Sequence, residues 1–154
     1  AIDKAEGHDA LATVYTRQEK YDLAEKEYIA ASKIDDKRLL TLGYFYQGRE
    51  QYDKAFGVFE KAYAKDSDNL GALYQIGRTS AISGQQADKG IASLETYLSK
   101  EQQEGTPSHA GAWMRLAMIY EKKGNKTKAE QLYSKSLSLD PKMEEAKKGL
   151  ARLK

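Results

Sequence analysis

The chain has 154 residues, 40% apolar and 31% charged, with 25 basic and 23 acidic side chains and a formal charge of +2. That length fits one ordinary domain with a buried core, and no window reaches the roughly 18 uninterrupted apolar residues of a membrane helix. The charge is too balanced for a nucleic-acid binder, and the absence of cysteine removes disulfides, thiolate nucleophiles and cysteine metal sites together.

Helix formers dominate, and prolines occur only at Pro107 and Pro141. An interior proline costs a helix about 3 kcal/mol, so such scarcity favours long helices. The first segment, AIDKAEGHDALATVY, has no basic stretch followed by an apolar one, and no signal peptide is expected within it. Apolar spacing predicts helices over roughly 3–18 and 21–33. They carry His8, Leu11, Ala12 and Tyr15, then Ala24, Tyr28 and Ala31. The next pair is expected over 37–49 and 52–65, with Leu39, Leu42, Gly43 and Tyr46, then Ala55, Phe59 and Ala62. A third pair over 69–83 and 87–100 carries Leu73, Ile76, Gly77 and Ser80, then Gly90, Leu94 and Tyr97. The stretch SKEQQEGTPSH reads as a loop, with Ser108 as an N-cap. The fourth pair, 108–123 and 126–138, carries Trp113, Leu116, Ala117 and Tyr120, then Ala129, Tyr133 and Ser136. Pro141 is expected near the first turn of a last helix, 142–152, with Met143, Ala146 and Leu150 on its buried face.

The same pattern thus recurs four times. It resembles the tetratricopeptide repeat: a large residue, leucine beside a small residue, tyrosine, then alanine ahead of an aromatic, and proline. The resemblance implies an all-α, right-handed α-solenoid of about four helix-turn-helix units, 5–36, 36–68, 70–103 and 110–141, with a capping helix over 142–152 in a single domain. Ala12, Gly43, Gly77 and Ala117, with Ala24, Ala55, Gly90 and Ala129, are expected where paired helices cross closely. A larger side chain there would overpack the crossing at roughly 1–3 kcal/mol. Two departures stand out. The junction SKIDDKRLL is about one helical turn shorter than the usual period, and the third unit has Ser80 for tyrosine and Gly90 for alanine. No cap precedes the first unit, which leaves room for a larger protein.

Function in the resembled family lies on the inner surface lined by the first helix of each unit, which takes peptides or protein segments. Carried over position by position, this implies a peptide-binding strip of Leu40, Tyr44, Tyr74, Arg78, Met114, Arg115 and Met118. Tyr, Met and Arg are enriched in interface cores, although scattered exposed apolar residues are also ordinary. The lysine and asparagines with which family members clamp a terminal carboxylate are absent: the matching places hold Asp9 and Thr13, Leu40 and Tyr44, Tyr74 and Arg78. Arg78 and Arg115 retain the chemistry to grip a carboxylate in two-pronged fashion.

No nucleophile, base and orienting group can be assembled, so no catalysis, cofactor or metal is expected. His8 and His109, the two histidines, fall in the first and last units and read as a partly buried ring and a loop residue. The expected role is a protein-interaction scaffold with a protein or peptide partner, without nucleic acid or membrane insertion. The alternatives are a self-association module forming a homo-oligomer, or an accessory domain of a larger protein. Compartment is not fixed by composition; the lack of cysteine leans towards an exported protein.

Overall fold

The computed structural model describes residues 3–154. Among them lie nine α-helices: α1 Lys4–Arg17, α2 Tyr21–Ile34, α3 Leu39–Gly48, α4 Tyr52–Lys65, α5 Leu70–Ser83, α6 Ala87–Leu98, α7 His109–Lys122, α8 Lys126–Leu139 and α9 Glu144–Leu153. A short 3-10 turn, Asp36–Arg38, precedes α3. The architecture is all-α: four helix-turn-helix pairs and a closing helix, the α-solenoid class implied by the repeat. The described chain forms two compact units, one ending at Asp68 with α1–α4 and one spanning Asn69–Lys154 with α5–α9.

Local chemistry sets the helix ends. The side chains of Asp3, Asn69, Ser108 and Asn125 accept hydrogen bonds from backbone N–H groups of the first turns of α1, α5, α7 and α8. Each answers one of the four orphan donors at a helix start. Three of the hairpin turns share one geometry. Glu19, Glu50 and Gly124 take positive φ of 59°, 56° and 80°, and the following N–H bonds back to Tyr15, Tyr46 and Tyr120 carbonyls at 2.9 Å in every case. The third hairpin differs, with two left-handed residues, Gly84 and Gln86.

In the first unit α1 pairs with α2 and α3 with α4, and α3 packs against α2. The crossings are as tight as the small residues imply. Ala12, Ala24 and Ala55 are wholly buried, and a Cβ on Gly43 would stand only 2.3 Å from a ring carbon of Phe59. Glu25 of α2 ties the two pairs together, accepting from Tyr46 Oη at 2.8 Å and Lys54 Nζ at 2.6 Å. Leu11 departs from expectation. It is 40% exposed, whereas its counterparts Leu42, Ile76 and Leu116 are at most 4% exposed. Leu42 and Leu116 lie on helices that also pack on the preceding pair of their own unit, α3 on α2 and α7 on α5 and α6. His8 is half-buried as expected, its Nδ1 2.5 Å from Glu27 Oε2.

In the second unit α5 pairs with α6 and α7 with α8, while α7 also packs on α5 and α6. Leu94 lies over Gly77, and Ser80 with Ile119 lies over Gly90. The serine that replaces tyrosine therefore faces the glycine that replaces alanine. Ser136, fully buried, donates to the Ala110 carbonyl at 2.7 Å and fastens α8 to the start of α7. The loop before α7 is ordered by Gln102, which accepts from His109 N and donates to Thr106 Oγ1 and the Pro107 carbonyl.

Two details of the last helix differ from the sequence reading. Pro141 lies in a turn ahead of α9, not in its first turn, because the Asp140 side chain accepts from Lys142 N and its carbonyl from Met143 N. The buried stripe is Ala146, Gly149 and Leu153, with Leu150 only half-buried. Gly149 turns the helix this way, since the Tyr133 ring occupies the space where a Cβ would stand.

Candidate functional site

The seven residues expected on an inner strip are divided by the fold. Leu40 and Tyr44 stand one turn apart on α3 in the first unit. Leu40 is half-buried, and Tyr44 is 46% exposed, its ring edge-on to Phe59 at 5.8 Å between centroids. The helix pairing needs Phe59 but leaves Tyr44 half in water.

The other five lie in the second unit. Tyr74 and Met114 belong to its core, at 6% and 4% exposure. The Tyr74 ring packs 5.4 Å from that of Tyr97, which in turn meets His109. These two side chains are not accessible surface. The reason is the burial of α5 on nearly all sides: every residue from Ala72 to Gly77 is buried, so inner and outer stripes are no longer distinct. Arg78 remains half-buried, as do Arg115 and Met118.

Arg115 and Met118 stand one turn apart on α7 and line a cleft of about 220 Å³ with Glu145, Lys148 and Arg152 of α9. The side chain of Arg115 is mostly buried, 15% exposed. Beside it Arg152 donates to both Glu121 carboxylate oxygens, at 2.9 and 3.1 Å, and Tyr133 Oη donates to the same carboxylate at 2.5 Å. The Arg152 hydrogen bond, helped by that of Tyr133 and opposed by burial, holds the Glu121 carboxyl below its usual value. Burial, then the Glu121 carboxylate, pushes the Tyr133 hydroxyl well up. A two-pronged arginine-carboxylate pair of this kind is geometrically specific, and it fastens α9 to α7.

Sequence reasoning missed the α9 contributors, because the last helix read simply as a cap. A signal was present: Glu145, Lys148 and Arg152 recur at helical spacing beside the buried stripe. Among the described residues, no group of three or more His, Asp or Glu side chains is placed to hold a metal ion. No described helix is long and apolar enough to cross a membrane.

The tetratricopeptide repeat family matches residues 110–143. Solved structures match over nearly the whole chain. MamA 41-end from Desulfovibrio magneticus RS-1 is 19% identical with a TM-score of 0.79, covering 99% of this chain and 84% of that one. PilW, a widely conserved type IV pilus biogenesis factor, is 24% identical with a TM-score of 0.77, covering 99% and 70%. YrrB, described as a TPR protein with an unusual peptide-binding site, is 20% identical with a TM-score of 0.76, covering 94% and 73%. Among curated proteins, no sequence matches the chain.

Proposed function

From a chain that has the tetratricopeptide fold, with a repeat of that family at residues 110–143, we propose a protein-interaction scaffold that takes a peptide or protein segment on the surfaces of its first helices. Stacked helix pairs generally offer extended surfaces of this kind. Two patches are proposed, each within its own unit. Leu40 and Tyr44 form one on α3. Arg115 and Met118, with Arg78, form the other, while the buried Tyr74 and Met114 are left to the core. That the four pairs act as one domain is part of the same proposal. The peptide-binding site in the description of YrrB supports a peptide as the ligand class.

One observation carries the reading: Tyr44 exposes nearly half of a large aromatic side chain on a first helix, where the core does not require it. Tyrosine supplies rigid amphipathic contact area and is enriched among residues that dominate binding energy. The test is selection of peptides from a displayed library on the immobilised full chain, followed by titration of the best binders against Tyr44→Ala. Truncation is expected to cost about 1–2 kcal/mol, roughly 5- to 30-fold in Kd, with the melting curve preserved. Unchanged affinity for every selected peptide would remove Tyr44 from the binding surface.

A further inference from the structure

The cleft between α7 and α9 contains a guanidinium whose donors are almost unused. A guanidinium offers five N–H donors in a planar fork. In Arg115 the Nε is buried and has no hydrogen-bond partner. Its Nη1 reaches only the thioether sulfur of Met118, at 3.5 Å. Its Nη2 stands 3.7 Å from Glu145 Oε2, beyond hydrogen-bond distance. The neighbouring Arg152 is satisfied by Glu121. An under-bonded buried cation is costly by itself, so the site gains by receiving an acceptor with two oxygens. Charge points the same way: the five lining side chains carry three cations and one carboxylate.

The geometry points to a carboxylate-binding cleft in which Glu145 is the resident acid and an acidic side chain of a partner polypeptide takes its place on Arg115. This deepens the scaffold reading above and rests on it. Glu145 itself indicates the kind of group that fits, because it is a side-chain carboxylate already brought up to the guanidinium. Its hold is weak. At 65% exposure such an ion pair is worth at most about a fivefold change in an equilibrium constant, so an incoming acid that hydrogen-bonds Nη2 displaces it. Met118 gives the methylene stem of that acid a soft, adaptable wall.

The experiment follows the Met118 methyl and Lys148 amide signals by NMR in the full chain. Three probes are titrated: Ac-Ala-Glu-Ala-Ala-amide, its Gln counterpart, and the Gln peptide with a free C-terminal acid. The Glu peptide is expected to move both signals saturably and the Gln amide to leave them still. In Glu145→Gln the half-saturating concentration should fall about two- to fivefold, because the competing acid is gone. In Arg115→Met, whose long apolar side chain fills the same buried space, the shifts should vanish while the melting curve remains cooperative. Equal shifts from the Glu and Gln amides, an unchanged half-saturation in Glu145→Gln, or a response to the free-acid peptide alone each overturn the inference. So does the lack of any saturable shift. Failure of the scaffold reading is distinct: library selection would then return no binders, whereas selected peptides that move Tyr44 and leave Met118 and Lys148 still overturn the cleft alone.

Discussion

Gly43→Ala tests the close crossing on which the helix pairs depend. Two effects oppose one another. Alanine is better than glycine in a helix interior by about 1 kcal/mol. The added methyl, however, would overlap ring carbons of Phe59, whose side chain is wholly buried. A ring that is fully enclosed cannot swing aside as a flexible tip can, so relief requires the helices to part. Overpacking costs typically 1–3 kcal/mol and at times more, and a rigid partner places this site at roughly the upper end. The expected net loss is about 2 kcal/mol. Gly57 provides the control: it lies mid-helix in α4, exposed, with open space where a Cβ would stand. Gly57→Ala should therefore gain up to about 1 kcal/mol. Urea denaturation followed by circular dichroism reads both. With a slope of about 2 kcal/mol per molar, the Gly43→Ala midpoint should fall by about 1 M and that of Gly57→Ala should rise by about 0.5 M. Adding Phe59→Leu to Gly43→Ala should recover part of the loss, a coupling that a double-mutant cycle isolates. A Gly43→Ala midpoint at or above wild type would refute the packing argument.

The Glu121–Arg152 pair makes docking of α9 pH-dependent. The Glu121 carboxyl is held below its ordinary value of 4.5, chiefly by the Arg152 hydrogen bond. Its stabilisation is therefore complete above that ordinary value and is lost as pH falls through the lower folded value. Melting of wild type and Glu121→Gln across this range should show wild type ahead near neutrality and the gap closing in acid; a gap that stays constant to the most acidic point would contradict the assignment. Tyr74→Ala distinguishes core from surface. At 6% exposure the truncation should cost about 3–5 kcal/mol of stability, as for other large core aromatics, and a loss below about 1 kcal/mol would return Tyr74 to the accessible surface.

Much of the fold was legible in the residues. Alternating apolar stripes and short polar turns placed the helices to within a few residues, because that periodicity is a property of one helix at a time. Small residues at Gly43 and Gly77 marked where the next helix crosses closely, under Phe59 and Leu94, and Ser108 marked a helix start. What a stripe meets is not local. Leu11 has the repeat's core position yet lies exposed, and Tyr74 and Met114 have surface positions yet lie buried, because coverage depends on which helix is laid over each face. The stripe of α9 rotated to seat Gly149 on Tyr133, and with it Glu145, Lys148 and Arg152 came to border Arg115. The residues alone determined helices and their pairing; only the tertiary structure decided which side chains face water and which charges meet, since burial and electrostatic satisfaction are set by neighbours far apart in sequence.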